Sequence, residues 1–358
     1  MDDIRLSICI ATYNRAGFIG ATLESIIPQL TEKVEILVVD GASPDNTAEV
    51  VRDYQSTCGQ LRYVRLVTKG GVDQDYCKAV ELARGEYCWL FTDDDALKPG
   101  SIQSVLSAIE EGHHGLIIVN AELRMDDLRR CAFPRVLPFC SNQVYLPTPE
   151  DQERLLGDVG GYLSFIGCVV IKRRLWNERY AVSYLGTEFV HVGVIFQAYL
   201  PEETLVIAEP YIAIRLGNSQ WSGRAFTIWI IQWPRLIWSF ALYSAASKRR
   251  VCPQYPSQQL WRLCYYRAMA SYSMKEYMEL VAPYSASSRS RFPARLIATL
   301  PGWLANGFFI CYSRLRQRYW MLDELRTSPF YYRRRLTDRS KVGGETEKPT
   351  QPNCGGKP

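Results

Sequence analysis

Three adjacent carboxylates, Asp93, Asp94 and Asp95, follow a short apolar run of the chain, Tyr87–Phe91. Like charges in so small a volume repel one another unless a cation lies between them. Mg²⁺ and similar hard ions prefer oxygen ligands, often bridge carboxylates to substrate phosphates, and offset the charge on a departing diphosphate. The cluster therefore predicts a divalent-cation site for phosphate chemistry, although an acidic loop ahead of a helix starting near Pro99 explains the same residues equally well.

A second group of polar residues follows two other apolar runs. Asp40 ends the run EILVVD, and its carboxylate has the chemistry to accept from a base N–H or a ribose hydroxyl. Thr12-Tyr13-Asn14-Arg15 follows the first run, where Tyr13 offers a ring for stacking on a base and Arg15 offers a guanidinium for phosphate. In the alternative interpretation, Thr12 and Asn14 only cap a turn.

The elements that must position these residues alternate over the first 120 residues. Short apolar strands are predicted at Leu6–Ala11, Glu35–Asp40, Leu61–Val67, Tyr87–Phe91 and Leu116–Val119. Helices are predicted at Phe18–Gln29, from an N-cap at Ser43 through Tyr54, at Asp73–Arg84 and at Pro99–Glu110. This order predicts an α/β fold with a parallel sheet covered on both faces. Ligands of such sheets bind beyond the carboxyl ends of the strands, where the polar residues above would meet.

The motifs in this order resemble a known family. Ile-Ala-Thr-Tyr-Asn-Arg is followed by Val-Val-Asp-Gly-Ala-Ser-Pro-Asp-Asn-Thr, by Gly-Val-Asp-Gln-Asp-Tyr-Cys-Lys-Ala-Val, and by Gly-Glu-Tyr-Cys-Trp-Leu-Phe-Thr-Asp-Asp-Asp. Together they resemble family 2 glycosyltransferases of the GT-A fold, especially the branch with bacterial abequosyltransferases of O-antigen synthesis. The likeness is strong over residues 5–120, weaker to about residue 215 and absent beyond. Neither a Gly-x-Gly-x-x-Gly fingerprint nor a P-loop is present.

The resemblance implies a Rossmann-like nucleotide-sugar fold and a role for each matching residue. It implies a nucleotide-sugar site formed by Thr12, Tyr13, Arg15, Asp40, Asp73, Asp75 and Asp93, and a Mg²⁺ or Mn²⁺ site at Asp94 and Asp95. Asp40 would hold the base, and Asp73 and Asp75 would contact the ribose or the donor sugar. Most of the family has an Asp two positions before the metal-binding Asp, but Thr92 stands there in this chain. A register shifted by one residue makes Asp93 and Asp95 the pair, so the choice of ligand stays open.

The catalytic base is implied less directly. The family usually carries a Glu-Asp pair at the start of an acceptor-side helix, which corresponds here to Glu188 and Phe189. Glu188 or His191 must then serve as the base, and the two lie three positions apart, on one face of a helix. An imidazole takes up a proton near neutral pH, so His191 is the favoured candidate. The alternative is that His191 is a hydrogen-bonded core residue.

We predict four regions: a nucleotide-sugar half at residues 1–120, an acceptor half of the same domain at 121–218, a helical region at 219–335 and a disordered tail at 336–358. The helical region contains two aromatic and apolar stretches, Trp221–Ala246 and Phe292–Tyr312, each interrupted by Arg and Pro. Their mixture of Trp, Tyr and Arg is typical of helices lying in a membrane interface, although a buried helical domain has a similar composition. The Arg-rich segment that follows suits an anionic surface.

Composition bounds the remaining expectations. The 358 residues carry a formal net charge of +5, and 11 cysteines occur without a CxxC pair, which favours a reducing compartment over a disulfide scaffold or a zinc site. The chain begins without a secretory signal, so we expect a cytoplasmic protein at the inner face of the cell membrane. The expected partners are a nucleotide-sugar donor and a saccharide acceptor, either free or linked to polyprenyl diphosphate, with no nucleic acid. The rival functions are a sugar nucleotidyltransferase and a catalytically degenerate sugar-nucleotide-binding module.

Overall fold

One mixed sheet of ten strands forms the centre of the fold. The computed structural model describes residues 4–180, 182–218, 223–285, 287–316 and 318–331. The strands are β1 (Leu6–Thr12), β2 (Val34–Asp40), β3 (Leu61–Arg65), β4 (Tyr87–Phe91), β5 (Ala96–Leu97), β6 (His114–Arg124), β7 (Cys131–Phe133), β8 (Gln143–Tyr145), β9 (Val169–Lys172) and β10 (Glu203–Arg215). The five predicted strands are all present as β1, β2, β3, β4 and β6.

The strand order is β3-β2-β1-β4-β9-β6-β10-β5, with β7 beside β6 and β8 beside β10. Strands β3, β2, β1 and β4 are parallel to one another. Three of them, β1, β2 and β4, carry mainly apolar residues on both faces. The uniformly parallel sheet that we predicted is wrong beyond β4, because β9 enters antiparallel between β4 and β6. The structure is therefore an α/β fold in which a parallel half continues into a mixed half.

Helices cover this sheet. In the sheet unit they are α1 (Ile19–Ile26), α2 (Thr47–Thr57), α3 (Val72–Leu82), α4 (Ser101–Glu111), α5 (Pro149–Val159), α6 (Arg173–Arg179), α7 (Val190–Phe196), α8 (Ala225–Thr227), α9 (Trp233–Ser239) and α10 (Ala245–Val251), with a π-helical segment at Ile228–Gln232. The four predicted helices correspond to α1 to α4. The predicted N-cap at Ser43 is wrong, since α2 begins after Asn46 and the side chain of Ser43 is used elsewhere.

The parallel register aligns the ends of the three central strands. Thr12 at the end of β1 pairs with Asp40 at the end of β2, and Ile10 pairs with Phe91 at the end of β4. Since parallel strands end at the same edge, the polar segments after β1, β2 and β4 all project from that edge. The predicted meeting of these segments is confirmed by this register.

The chain divides into two compact units, with the division between Pro256 and Ser257. This division differs from the predicted boundary at residue 219, because the helices α8, α9 and α10 that follow residue 219 belong to the sheet unit. Trp233, Ile237 and Phe240 are buried in the same apolar core as the strands. Aromatic packing, rather than a separate helical core, therefore accounts for the Trp-rich composition of this stretch.

The second unit is helical in its described part. It contains α11 (Leu260–Ala268), α12 (Met274–Glu276), α13 (Ser288–Thr299), α14 (Gly302–Leu315) and α15 (Tyr319–Thr327), with a π-helical segment at Tyr277–Val281. In the described residues no single helix has the length and apolar character to cross a membrane, whereas α13 and α14, bent by 92° at their junction, meet that test only together. The predicted disordered tail at 336–358 lies outside the described residues.

Candidate functional site

The acidic residues after β4 lie against one arginine from the loop after β1. Arg15 Nε is 3.4 Å from Asp93 Oδ1, and its Nη2 is 3.1 Å from Asp94 Oδ2. The Arg15 side chain is itself nearly buried, and it also donates from Nη1 to the carbonyl of Asn218 at 3.1 Å. The structure therefore joins Arg15 to the acidic cluster, as the strand-end arrangement predicts.

The last residue of the cluster, Asp95, is held on both oxygens. The backbone N–H of Arg215 donates to Oδ1 at 2.7 Å, and the Thr92 hydroxyl donates to Oδ2 at 2.5 Å. Asp95 is also almost fully buried. These contacts fit a supporting residue better than a metal ligand, because both oxygens already serve as acceptors within the protein.

Asp94 is the most open of the three carboxylates. Its Oδ2 accepts from Asn218 Nδ2 at 2.8 Å, and its carbonyl accepts from Arg215 Nε at 2.8 Å. The exposed fraction of its side chain is 16%, against 12% for Asp93. Asp93 and Asp94 are therefore the two members of the cluster that a ligand can reach.

Burial governs the charge state of this cluster. It raises the pKa of Asp93 to about 7, with the charge of Asp94 as the second cause, while Arg15 opposes the shift. Burial likewise raises the pKa of Asp94 and, more strongly, that of Asp95. Arg15 and Arg215 therefore do not fully compensate the three carboxylates, and the site favours an added positive charge.

We expect Asp93→Asn to raise the stability of the protein at alkaline pH. The folded-state pKa of Asp93 lies above the unfolded value of about 3.9. The stability gained from its protonation is therefore complete below pH of about 4, and is lost as the pH rises through about 7. The amide should raise the free energy of unfolding by roughly 1–3 kcal/mol at pH 8 and change it little at pH 4, as measured by urea unfolding.

Asp53→Asn supplies the matched control, because Asp53 is an exposed carboxylate on α2. It should leave the unfolding free energy nearly unchanged at both pH values. An equal effect of Asp93→Asn at pH 4 and pH 8 would show that packing or the loss of the Arg15 contact, rather than ionisation, dominates.

The donor set fits a divalent cation that is shared with phosphate. In the part of the chain that the structure describes, no three Asp, Glu, His or Cys side chains converge into a closed metal site. Asp93 and Asp94 nevertheless supply two adjacent, buried and under-compensated carboxylates. Mg²⁺ commonly binds through one or two carboxylates together with substrate phosphates and water. The residues present suit that kind of site and not a fully protein-coordinated one.

Asp40 forms its hydrogen bonds within the protein. Its side chain is completely buried, and its oxygens accept from the Ser43 N–H at 2.7 Å and from the Tyr63 hydroxyl at 2.6 Å. Burial, followed by the hydrogen bond to Asp40, raises the pKa of Tyr63 to about 12, which keeps that phenol a donor. With no exposed surface, Asp40 fixes the loop after β2, and the contact with a base that the resemblance implies stays a prediction.

The rest of the same motif supports the loop after β1. Ser43 Oγ accepts from the Asn14 N–H at 2.9 Å, and Thr47 Oγ1 accepts from the Arg15 N–H at 2.9 Å. Asp45 Oδ2 accepts from the Ala16 N–H at 3.0 Å. These bonds fix the backbone that carries Arg15. The segment after β2 thus acts on the site by holding the loop after β1.

One carboxylate oxygen of Asp75, close to these loops, accepts no hydrogen bond from the described residues. Asp75 is buried on α3, and its Oδ1 has no hydrogen-bond partner among the described residues. A Cβ at Gly41 would come within 2.7 Å of Asp75 Oδ2, and one at Gly70 within 3.2 Å of Oδ1, so glycine is required for the close approach of both loops. Burial raises the pKa of Asp75 to about 6, with Lys69 opposing. An unpaired buried carboxylate is costly and indicates a missing donor.

Tyr13 lies at this same end of the site. The Lys69 ammonium sits 3.5 Å from the centroid of its ring, and Lys69 is also the cation that acts on Asp75. The half-buried ring of Tyr13 and the carboxylate of Asp75 thus share one basic neighbour. Thr12, by contrast, is buried in β1 at the strand end.

Asp73 contacts the segment before α7. Its Oδ2 accepts from the Glu188 N–H at 2.9 Å and its Oδ1 from the Val190 N–H at 3.0 Å. Burial raises the pKa of Asp73 to about 6, although hydrogen bonds from the backbone of this segment oppose the shift. Both oxygens are engaged by protein donors, which does not fit the implied contact with a ribose or sugar.

The two candidates for the base occupy unlike environments. Glu188 is partly exposed and forms an ion pair with Arg224. His191 is buried, its Nε2 donates to the Leu163 carbonyl at 2.7 Å, and burial lowers its pKa to about 4. A side chain without access to solvent and with so low a basicity does not suit an acceptor hydroxyl, so the geometry favours Glu188 over His191.

Phe189, at the position where the family usually has an Asp, is a core residue. Its ring centroid lies 4.7 Å from that of Trp233 and 5.6 Å from that of Trp229. The aromatic residue therefore anchors the start of α7 against the helices that follow β10. A carboxylate at this position would be buried among aromatic rings, which is unfavourable. Of the Glu-Asp pair that is usual in the family, this chain therefore keeps only the acid at Glu188.

Two residues of the site were missed by sequence reasoning. Arg215 and Asn218 contact the acidic cluster from the end of β10, more than 120 positions along the chain. No motif marks them, and residues 219–222 that follow lie outside the described part of the chain. The only available signal was a polar segment after a long apolar strand.

Comparisons with known proteins show which chains this one is similar to. Residues 7–172 match the sequence profile described as Glycosyl transferase family 2. An abequosyltransferase of Salmonella typhimurium is 27% identical over 230 residues, which are 61% of this chain and 69% of that protein. A Campylobacter jejuni protein, GalNAc(5)-diNAcBac-PP-undecaprenol beta-1,3-glucosyltransferase, is 28% identical over 110 residues, 30% of this chain and 36% of its own.

Solved structures show the same fold. The crystal structure of S. aureus TarS 1-349 in complex with UDP-GlcNAc superposes with a TM-score of 0.52 at 16% identity, covering 96% of this chain and 93% of that chain. At that identity the superposition concerns the fold alone. The fold is the α/β GT-A fold that the sequence resemblance implied.

Proposed function

Because residues 7–172 place this chain in glycosyltransferase family 2, we propose that it transfers a sugar from a nucleotide diphosphate donor to a hydroxyl of a lipid-linked saccharide. The observation that carries the proposal is the buried cluster of Asp93 and Asp94 paired with Arg15 at the edge where β1, β2 and β4 end. This edge is where an α/β sheet binds its ligand.

The donor would lie along this edge, with its base toward Asp75. The unpaired Oδ1 of Asp75 has the chemistry to accept from a base N–H or a ribose hydroxyl, and Tyr13 offers a ring beside it. The diphosphate would lie at the other end, near Asp93, Asp94 and Arg15. A divalent cation held there by Asp93 and Asp94 would offset the charge of the departing diphosphate.

The acceptor would enter on the side of Glu188. The acceptor oxygen forms a bond to the anomeric carbon, the bond from that carbon to the diphosphate oxygen breaks, and its electron pair leaves with the nucleoside diphosphate. Glu188 takes the proton of the attacking hydroxyl, while Arg224 holds the carboxylate in place. Arg15 and Asn218 keep Asp94 oriented throughout.

A donor screen tests this function directly. The full chain is incubated with UDP-, GDP-, CDP- and dTDP-sugars, a membrane lipid extract as acceptor, and Mg²⁺ or Mn²⁺. Release of a nucleoside diphosphate together with a glycosylated lipid supports sugar transfer. Release of pyrophosphate would instead indicate a nucleotidyltransferase, and tight donor binding without any product would indicate a degenerate binding module.

The relatives and the second unit support an acceptor at a membrane. The Campylobacter jejuni relative acts, by its name, on an undecaprenyl-diphosphate-linked saccharide. In this chain, large apolar side chains are exposed on α13 and α14. They include Phe292, Leu296, Trp303, Leu304 and Phe308, and we take them together as one apolar face.

Positive charge borders this apolar face. Arg289 and Arg295 lie exposed on α13, and Arg314 and Arg316 lie exposed at the end of α14. An amphipathic surface of aromatic residues flanked by arginines suits the interface of an anionic bilayer. We therefore assign peripheral membrane binding on the cytoplasmic side to this face, which we call the α13–α14 face.

We expect replacement of the α13–α14 face to release the protein from membranes. Serine at Phe292, Leu296, Trp303 and Phe308 together should weaken binding to phosphatidylglycerol-containing vesicles by roughly 10⁴-fold or more, since each fully buried side chain contributes about 1.5–3 kcal/mol. Vesicle co-sedimentation measures this loss. High salt should weaken wild-type binding as well, by screening the arginines.

Phe133→Ser with Val144→Ser is the matched control, because both side chains are exposed and apolar but belong to the sheet unit. The control should bind vesicles like the wild type. Undiminished binding of the fourfold variant would refute the assignment of this face.

A further inference from the structure

The backbone before α7 has an unusual conformation at Glu188. Its φ is +68°, in the left-handed region that side chains other than glycine rarely adopt, and Gly186 just before it has a φ of +81°. A non-glycine residue in this region carries a strain of about 1–2 kcal/mol. Such strain persists only where the surroundings determine the conformation.

Asp73 supplies the charged part of those surroundings. Its two oxygens accept the backbone N–H groups of Glu188 and Val190, which lie on either side of the buried Phe189. Asp73 and Glu188 are separated by 115 positions in sequence, so this is a tertiary contact between α3 and the acceptor-side segment. A buried ionised acceptor makes hydrogen bonds about twice as strong as a neutral one.

The same helix reaches the rest of the site. Asp75, two residues further along α3, is the unpaired acceptor beside Gly41 and Gly70. Tyr76 donates from its hydroxyl to the carbonyl of Phe91, directly before the acidic cluster. The first turn of α3 therefore touches the loop after β2, the end of β4 and the segment that carries Glu188.

We propose that Asp73 is a positioning residue that holds the backbone of Glu188 so that its carboxylate faces the acceptor. This inference rests on the proposed function for the role of Glu188. The hydrogen bonds themselves do not depend on it. The role differs from the contact with ribose or donor sugar that the resemblance implies, because both carboxylate oxygens are already used by backbone donors.

The test compares Asp73→Asn and Asp73→Ala with Glu81→Gln, an exposed acid on the same helix. Asparagine keeps the size of the side chain but places an N–H against one backbone N–H, whereas alanine removes both acceptors. Hydrogen exchange at the amides of Glu188 and Val190 shows, without any substrate, whether Asp73 holds this backbone. The kcat and KM of transfer, and the Kd of the nucleoside diphosphate product, report its effect on the reaction.

For Asp73→Asn we expect faster exchange at both amides and a kcat lowered on the order of 10- to 100-fold, as for a misplaced catalytic group. The Kd of the nucleoside diphosphate should stay within about twofold of the wild type, since a positioning residue does not touch the donor. Glu81→Gln should match the wild type in every measurement. If Asp73→Ala does not fold, the asparagine variant still decides the question.

Three results would overturn the proposal, two from the kinetic and binding measurements and one from amide exchange. An unchanged kcat despite faster exchange would mean that Asp73 is purely structural, and a Kd that rises in step with the loss of kcat would mean that it contacts the donor. If the wild type transfers no sugar from any donor, the proposed function fails by itself. Unaltered amide exchange in Asp73→Asn would then still refute the idea that Asp73 holds the backbone of Glu188 and Val190, and faster exchange would support it.

Discussion

Replacing Asp94 with alanine is expected to lower kcat by about 10³-fold, the usual effect of removing a group that stabilises transition-state charge. Asp94 is the most open carboxylate of the cluster and is the one held by both Arg15 and Asn218. The variant leaves Arg15 paired with Asp93 alone, so the charge balance at the diphosphate end changes as well. Release of nucleoside diphosphate under saturating donor measures the effect.

A binding measurement separates loss of the cation from loss of the fold. Mn²⁺ with nucleoside diphosphate should raise the melting temperature of the wild type, since a ligand at about 100 times its Kd adds about 2.7 kcal/mol of stability. Asp94→Ala should lose most of this gain, while its melting temperature without ligand stays near that of the wild type. Asp53→Ala, an exposed acid on α2, serves as the control.

Two observations would contradict this prediction. Turnover of Asp94→Ala within a few-fold of the wild type would remove the acidic cluster from the reaction. Full activity of the wild type after thorough chelation would mean that side chains such as Arg15, and not a metal ion, offset the charge of the diphosphate. Either result would separate this chain from the metal-dependent mechanism that its resemblance implies.

The parallel half of the sheet was predictable because its strands are short, continuous and apolar. Tyr87–Phe91 was predicted with the same bounds as β4, and the helices between these strands were found within a few residues. The antiparallel β9 was not placed, because a four-residue apolar strand carries no information about its neighbours. Its position between β4 and β6 is decided by tertiary packing.

The site was predictable where its residues follow a strand, and obscure where a distant element supplies them. Asp93 and Asp94 were located by their strand, but Arg215 and Asn218 reach them from β10 without any motif. Asp40 shows the opposite limit. Its motif is recognisable in the sequence, yet its complete burial and its bonds to Ser43 and Tyr63 are not.

The catalytic base was the least predictable part of the site, because the burial of each candidate side chain decides which of them can serve. From the sequence alone His191 is the better candidate, since an unperturbed imidazole titrates near neutral pH. Burial lowers the pKa of His191 to about 4 and removes its access to an acceptor. The helix face that we expect Glu188 and His191 to share is wrong, because α7 begins at Val190 and Glu188 lies before it with a φ of +68°. No sequence pattern shows that the one side chain is partly exposed and the other is in the core.

Replacing Glu188 with glutamine is therefore expected to lower kcat by about 10²- to 10⁴-fold, the range for loss of a general base. Glutamine keeps the size of the side chain and an oxygen for Arg224, so the segment before α7 should hold its conformation. The KM for the donor should change little, because Glu188 acts on the acceptor. Steady-state transfer with varied donor and varied acceptor separates the two parameters.

His191→Gln provides the decisive comparison for this assignment. Glutamine can donate to the Leu163 carbonyl as the imidazole does, so the core contact is preserved. If Glu188 is the base, His191→Gln should retain a kcat near that of the wild type at temperatures where it is folded, and Glu188→Gln should not. The reverse pattern would return the role to His191, and would require α7 to expose a side chain that is now buried among Leu163 and the rings around Phe189.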